Sequence, residues 1–382
     1  MLARIDSLGN PKNVLKNVVY DYDVLHRTST PVVSLSNDDV SRLGVEEHGK
    51  SKVLRFESRF ESGNLRKAVQ TGPHEYDLIL MPDVNSNRHH QWYYFEVSNM
   101  DSNASYIFNI INLEKHQSQY EHGMMPLMFS VLESENGHGC WMRAGSDIFY
   151  YRNNYVRKRH ELYKARVHPG ESNASWLMDG IIRFLTENTP SAAKLRKTYV
   201  IKIVPMLNVE GVVNGCHRCC LSNEDLNRKW KSPHPVLHPE IFHTKGMIAF
   251  CADVLKRPPY LYCDFHGHSA KKNIFLYGCS GQESYLSKDK DLIQNDSEFS
   301  TLSRLLEQYS LIFDQESSNC KIQRNKESTA RITMWREFGV TRSYTMESTY
   351  CGFDTGRFKG TQININHLMD MGASVCTALS AL

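Results

Sequence analysis

The texture of the sequence changes near residues 151–155, and this change constrains the fold more than any other feature. Before it, short runs of aromatic and β-branched residues are separated by clusters such as Pro82-Asp83 and Asn136-Gly137. That pattern is typical of antiparallel strands. After it, buried-strand patterns alternate with helical ones, as in α/β proteins. We predict an all-β antiparallel sandwich domain over residues 51–152, an α/β domain over residues 153–382, and a loosely patterned N-terminal lead-in over residues 1–50.

The expected elements follow from the spacing of the apolar residues. Strands of the first domain are predicted over residues 78–80, 91–97, 106–113 and 127–132. In the second domain, buried strands are predicted over 199–204, 260–265, 274–277 and 343–346, and helices over about 172–186, 239–255, 299–312 and 366–381. This order predicts a mixed sheet with helices on both faces.

Composition excludes several classes of protein. The 382 residues are 41% hydrophobic, which is enough for a sizeable core and argues against disorder. The 45 basic and 42 acidic residues give a net charge of +3, so we expect no nucleic-acid partner. No apolar run approaches the ~18 residues of a membrane span. Because the N-terminus has no export signal, the ten cysteines predict reduced thiols and a cytoplasmic protein.

Two motifs could together hold a metal ion. His168 and Glu171 lie three residues apart at a Pro-Gly turn, where both can face one ion, although such a pair alone is usually structural. The second motif, residues 264–269, follows a predicted buried strand, at the end where α/β sheets keep their sites. Its two histidines compete for the role of ligand, and the position at the strand end favours His266 over His268. Two imidazoles and a carboxylate are a catalytic zinc set with a fourth position open for water.

Two further motifs add polar residues to the same domain. The pair Asn227 and Arg228 could hold a carboxylate beside a metal. Glu347 ends an apolar strand, which is a costly place for a charge unless a site uses it. A basic stretch precedes His168 and is either a solvated face or a surface that attracts an acidic polypeptide. It contains Arg152, Arg157, Lys158, Arg159, Lys164 and Arg166.

With these four motifs in this order, the sequence resembles the zinc metallocarboxypeptidase superfamily. It is similar in particular to the cytosolic carboxypeptidases, peptidases that trim glutamates from tubulin, and most of all to their type-one members. The resemblance extends from about residue 52 to the C-terminus. It rests on residues 56–67, 75–80 and 90–98 of the first domain and on residues 168–171, 205–211, 225–230, 264–269 and 335–352 of the second.

The resemblance implies a role for each matching residue. His168, Glu171 and His266 would hold one Zn²⁺ per chain. Glu347 would act as general base and then as general acid, and Arg218 would stabilise the oxyanion. The terminal carboxylate of the substrate would be bound by Asn227 and Arg228, and Asp225 would orient the first zinc histidine.

The function implied is that of a deglutamylase, which removes C-terminal or side-chain glutamates from tubulin and other glutamylated acidic tails in the cytoplasm, at microtubules or cilia. A glutamate side chain in the site needs a cation, for which Arg331 is the first candidate and Lys326 the second. One alternative is a deacylase of small N-acyl amino acids on the same scaffold. Another is a non-catalytic tubulin-binding pseudo-enzyme, against which the intact residue set argues.

Overall fold

The computed structural model describes residues 17–27, 53–86, 88–113, 118–145, 147–148, 166–291 and 297–382. Most of the predicted lead-in, the predicted boundary at residues 151–155 and the basic stretch up to Lys164 lie outside these residues. Within them, residues from 1–114 together with 210–217 form one compact unit, and residues from 115–209 together with 218–382 form a second.

Eleven strands and nine α-helices occur in the described residues. The strands are β1 (Asn17–Asp21), β2 (Arg55–Glu57), β3 (Leu65–Gly72), β4 (Glu75–Leu80), β5 (Glu96–Ser98), β6 (Ile107–Ile110), β7 (Leu127–Phe129), β8 (Trp141–Arg143), β9 (Tyr262–His268), β10 (Ile274–Tyr277) and β11 (Ser343–Thr349). The helices are α1 (Tyr22–Arg27), α2 (Val131–Glu135), α3 (Asn173–Thr186), α4 (Pro190–Thr198), α5 (Val209–Val213), α6 (Pro239–Ala249), α7 (Ser297–Tyr309), α8 (Ala330–Phe338) and α9 (Ile365–Ala381). Short 3-10 turns occur at Gln119–His122, Leu226–Arg228, Ser287–Asp291 and Arg324–Lys326, and α6 continues as a π-helix over Phe250–Val254.

The first unit is built from a four-stranded sheet in the order β1-β3-β4-β6 and a pair formed by β2 and β5. Its core contains Tyr20, Leu65, Tyr76 and Leu78, all nearly inaccessible to solvent. The expectation of purely antiparallel pairing is wrong at one place, because β4 and β6 run parallel. A connection of more than twenty residues separates these two strands, so the chain has room to cross over, as parallel pairing requires.

The second unit is built around a three-stranded mixed sheet in the order β10-β11-β9. Strands β9 and β11 are parallel, whereas β10 and β11 are antiparallel. Because side chains alternate between the faces of a strand, Phe265, Tyr344 and Met346 enter the core that α3 and α9 cover. The residues between them, including His266 and Glu347, lie on the opposite face. Helix α8 packs against β9 and β11, and the predicted fold class is confirmed.

One predicted strand of the second domain does not form. Residues 199–204 have no ladder partner among the described residues, although the alternation that predicted the strand is present. Tyr199 and Ile201 pack against the core, while Val200 is 88% exposed. The alternating pattern therefore reports burial of one side of an extended segment, which does not itself require a hydrogen-bonded neighbour. Helices α1, α2, α4, α5 and α8 were not predicted from the sequence.

Two glycines allow α3 and α9 to cross at close range. A Cβ atom on Gly372 would lie 2.2 Å from the carbonyl oxygen of Leu177, and one on Gly180 would lie 2.2 Å from that of Met369. Atoms of a protein interior cannot approach so closely without displacement of the backbone. The crossing beneath the mixed sheet therefore depends on the absence of a side chain at both positions.

We expect Gly372→Ala to lower the free energy of unfolding of the second unit by about 1–3 kcal/mol, as overpacking does, measured by chemical denaturation. Gly246→Ala is the matched control, since Gly246 lies in α6 and a Cβ atom there would meet nothing within 4 Å. This control should be neutral or stabilising by up to about 1 kcal/mol because alanine is the better helix former. Equal effects of the two changes would contradict the close crossing.

Among the described residues, no helix has both the length and the apolar character that a bilayer span requires.

Candidate metal centre

A tight turn presents the first two predicted ligands. The backbone N–H of Glu171 donates to the carbonyl of His168 at 3.1 Å, which folds both side chains towards one point. Helix α3 begins directly afterwards, and its first residue, Asn173, donates from Nδ2 to the carbonyl of Thr349 at 2.7 Å. This bond joins the turn to the end of β11, so the ligand turn is held against the sheet that carries His266.

The three predicted ligands meet at one buried point. His168 Nδ1 lies 2.8 Å from Glu171 Oε1, and His266 Nδ1 lies 2.9 Å from Glu171 Oε2. The three donor atoms are within 4.8 Å of one another, and each residue is at most 4% exposed. Nitrogen and carboxylate donors in this number are those of a catalytic zinc site with an open position.

Each imidazole also faces a second carboxylate through its other nitrogen. His168 Nε2 lies 3.3 Å from Asp225 Oδ1, and His266 Nε2 lies 3.2 Å from Asp264 Oδ2. A neutral imidazole has only one N–H, so a carboxylate on both sides leaves one nitrogen lone pair facing an anion unless the ring is protonated or a cation intervenes. A divalent cation between the Nδ1 atoms and Glu171 resolves this conflict at both rings. The residues present therefore fit the metal that the sequence implies.

The acid–base behaviour of the centre has the same cause. Burial by itself would lower the pKa of His266, but the carboxylates of Asp264 and Glu171 outweigh it and raise the pKa to about 9. Burial raises the pKa of Glu171 above its usual range, against the nearby cations of His266 and Arg218. Binding of a metal must release the proton that this arrangement would otherwise keep on the imidazole.

Glu347 lies beside His266 on the neighbouring strand. The parallel register of β9 and β11 pairs these two residues directly. Glu347 is fully buried, and neither carboxylate oxygen has a hydrogen-bond partner among the described residues. Burial raises the pKa of Glu347 to about 8, while the positive charges of His266 and Lys326 lower it. A buried, unpartnered carboxylate whose pKa is close to neutrality has the properties of a general base.

The residues expected to bind the substrate and its oxyanion lie on the adjoining turn. Asp225 accepts from Arg218 Nη2 at 2.6 Å, so the arginine and the first zinc histidine share one carboxylate. Asn227 is buried, and its Oδ1 accepts from the backbone N–H of Ala330 at the start of α8. Among the described residues its Nδ2 group makes no hydrogen bond. Arg228 is half-buried, and its Nη1 donates to the carbonyl of Asn227 at 3.2 Å.

The two candidate cations for glutamate recognition differ in their surroundings. Arg331 lies in the first turn of α8, is only 6% exposed and has no carboxylate partner among the described residues. Lys326 ends the 3-10 turn Arg324–Lys326 and is half-buried, and its charge acts on Glu347. Arg336, further along α8, is half-buried and has a carboxylate partner, since Asp289 accepts from it at 2.6 Å.

The structure brings His266, the histidine that the sequence favours over His268, together with His168 and Glu171. His268 Nδ1 accepts from the backbone N–H groups of Ala270 and Lys271 at 3.2 and 2.8 Å, so it stabilises the turn after β9.

Asp264 is the residue that sequence reasoning left without a role. Its position two residues before His266 on one strand was the available signal, since such residues share a face.

A buried centre of two histidines and one carboxylate beside a mixed sheet is typical of zinc hydrolases. A family model described as Zinc carboxypeptidase matches residues 130–363, and one described as Cytosolic carboxypeptidase N-terminal domain matches residues 56–169. The chain belongs to the zinc carboxypeptidase family, and within it to the cytosolic carboxypeptidases. The resemblance predicted from the motifs is thus confirmed.

Several curated relatives are similar over most of this chain. Cytosolic carboxypeptidase 1 of Homo sapiens is 39% identical over 478 aligned positions, which include 99% of this chain and 37% of the relative. Cytosolic carboxypeptidase 4 of Mus musculus is 38% identical, with 87% of this chain and 38% of the relative included. The chain therefore spans less than half of the length of these relatives.

Solved structures share the fold. A metallo-carboxypeptidase from Pseudomonas aeruginosa, in complex with (2-guanidinoethylmercapto)succinic acid, superposes with a TM-score of 0.67 at 20% identity, over 86% of this chain and 98% of the other. The putative carboxypeptidase A from Shewanella denitrificans gives a TM-score of 0.65 at 20% identity, with the same coverage.

Proposed function

We propose that this chain is a zinc-dependent carboxypeptidase that removes glutamates from the C-termini or side chains of acidic protein tails such as those of tubulin. The observation that carries the proposal is Glu347, a fully buried carboxylate without a partner among the described residues, paired by register with His266 of the metal centre. A structural role does not explain why an ionisable group is kept there, since burying a carboxyl group without a partner is costly. A hydrolytic role does explain it.

The residues divide the reaction between them. When bound by His168, Glu171 and His266, Zn²⁺ would lower the pKa of a water molecule to ~7 and polarise the scissile carbonyl. Glu347 would accept the proton of that water and later donate it to the leaving amine. Arg218, which donates to Asp225, would stabilise the developing oxyanion.

Recognition of the substrate terminus would fall to the turn that follows Asp225. The amide hydrogens of Asn227 and the guanidinium of Arg228 are donors suited to a free carboxylate. Binding of the terminal carboxylate by this pair would make the enzyme an exopeptidase, because only a chain end carries an α-carboxylate.

Arg331 supports glutamate as the residue removed. Its guanidinium is buried and lacks a carboxylate partner among the described residues, and an unpaired buried charge is costly unless a ligand completes it. Arg331 follows Ala330, whose backbone contacts Asn227, so it lies next to the proposed carboxylate-binding turn. Lys326 would add a second positive charge on the side of Glu347.

The names of the matched relatives support a cytoplasmic location, and we extend this proposal to microtubules or cilia.

Mass spectrometry of tubulin tails and of synthetic peptides with linear glutamate chains, before and after incubation with the purified chain, tests the function. We expect stepwise loss of glutamate, abolished by a chelator and restored by Zn²⁺. Cleavage of an N-acyl amino acid without action on the tails would favour a deacylase. Binding of tubulin with no cleavage of any substrate would favour a pseudo-enzyme.

Arg331→Ala tests the selectivity. It should lower kcat/KM more for glutamate-ending than for leucine-ending peptides, because the buried carboxylate of the substrate loses its partner. The difference in transition-state stabilisation between the two substrates should be about 2–5 kcal/mol. Zinc content, measured by atomic absorption, should not change. Arg331→Lys is the control that keeps the charge, and it should retain part of the preference. Equal losses for both peptides would transfer the role to Lys326, with Lys326→Ala as the next measurement.

A further inference from the structure

The thiol of Cys279 lies against Arg331 and contacts it at two places. Arg331 Nη1 donates to Cys279 Sγ at 3.5 Å, and the thiol lies 3.8 Å from the carbonyl oxygen of Arg331, to which it can donate. The same carbonyl accepts from Ser343 Oγ at 2.8 Å. Cys279 therefore contacts both the guanidinium and the backbone carbonyl of Arg331. Ser343, at the start of β11, also binds that carbonyl.

The surroundings leave the thiol little freedom. Cys279 is 4% exposed and packs in a small cluster with Ile322, Ile332 and Trp335. Ile332 and Trp335 belong to α8, the helix that carries Arg331. Because Cys279 packs against the helix that carries Arg331, its sulfur atom keeps a constant position relative to the guanidinium. It can therefore favour one rotamer of the arginine.

A thiol suits this position because it is neutral. Burial raises the pKa of Cys279 to about 11, although the positive charges of Arg331 and Arg336 lower it. A carboxylate here would pair with Arg331, as Asp289 pairs with Arg336, and would compete with the glutamate of the substrate. A neutral acceptor can orient a guanidinium and leave its charge for a ligand.

We infer that Cys279 is a positioning residue for glutamate selectivity: it holds the Arg331 guanidinium in the orientation that receives the side-chain carboxylate of the substrate. The inference rests on the proposed function. We propose no contact of Cys279 with the substrate or with the metal ligands; it would act only through Arg331. Removing it should therefore change the preference among substrates without changing the chemistry.

The test is the ratio of kcat/KM for a glutamate-ending peptide to that for a leucine-ending peptide. In Cys279→Val, which has a similar size but no acceptor, this ratio should fall roughly 10- to 100-fold, as for the loss of a hydrogen bond to a charged group. The fall should arise from a higher KM for the glutamate peptide, with kcat for the leucine peptide and zinc content unchanged. Cys279→Ser, which restores a neutral acceptor, should recover most of the ratio.

Cys376→Ala is the matched control, because Cys376 is an equally buried thiol in α9 that packs only in the apolar core. It should leave the ratio unchanged. If Cys279→Val does not fold, the smaller Cys279→Ala replaces it with the same expected fall. An unchanged ratio in both, while Arg331→Ala does reduce it, would overturn the role of Cys279 alone. An unchanged ratio in Arg331→Ala itself would overturn the selectivity proposal on which it rests.

Discussion

Replacing His168 with alanine should remove most of the bound zinc and, with it, all measurable peptidase activity. His168 supplies one of three protein donors, and its Nδ1 lies 2.8 Å from Glu171 in the buried centre. With two donors left, the site falls below the number that holds zinc in catalytic centres. The change also frees the carboxylate of Asp225 from its imidazole partner. Metal content after dialysis, measured by atomic absorption beside a peptide hydrolysis assay, gives both results.

His268→Ala is the control for this change. His268 is a buried histidine at the end of the same strand as His266, but its Nδ1 accepts from two backbone N–H groups of the following turn. Its loss should reduce stability and leave one zinc ion per chain. Full zinc occupancy in His168→Ala, or loss of zinc in His268→Ala alone, would show that the ligand set is wrong.

Glu347→Gln should lower turnover by roughly 10²–10⁴-fold while the zinc content stays the same. The amide keeps the shape of the side chain but cannot accept the proton of the attacking water. Because Glu347 is buried without a hydrogen-bond partner among the described residues, its replacement breaks no interaction that holds the fold. Steady-state kinetics on a glutamate-ending peptide, at matched zinc content, measures the effect. Turnover within a few-fold of the wild type would move the general-base role to another residue.

A second measurement on the metal-free protein tests the environment of Glu347. Its pKa is raised from 4.5 to about 8, mainly by burial, so the folded state resists ionisation that the unfolded state undergoes freely. The stability of the metal-free wild type should therefore fall, through this group, as pH rises from about 4.5 to 8. Glu347→Gln should lack this component. Parallel stability–pH curves for the two proteins would mean that Glu347 is not buried as described.

The sequence predicted the parts of this protein that short motifs specify. His168 and Glu171 are three residues apart on one turn, and the strand carrying His266 reads as a buried apolar run, so local pattern was sufficient for both. Strand pairing was harder. Residues 199–204 alternate like a strand, yet whether an extended segment finds a ladder partner depends on the rest of the sheet.

Contacts between distant residues were the least predictable. The role of Asp264 depends on which way the His266 ring is turned, and the contact of Cys279 with Arg331 joins residues 52 positions apart. Helix α8 was missed because its charged residues obscure the apolar period. Two of its arginines are buried or half-buried in the fold, where one pairs with Asp289 and the other faces a thiol.

The ladder between β9 and β11 also bears on how such a protein can change over generations. Seven consecutive pairs, from Ser343 with Tyr262 to Thr349 with His268, set Glu347 beside His266. Gain or loss of one codon within a strand would turn Glu347 (in β11) or His266 (in β9) to the opposite face, since side chains alternate. We expect insertions and deletions within these strands to abolish activity even where they leave the site residues themselves unchanged. The distance between the proton acceptor Glu347 and the metal ligand His266 is thus set by the register of the two backbone strands.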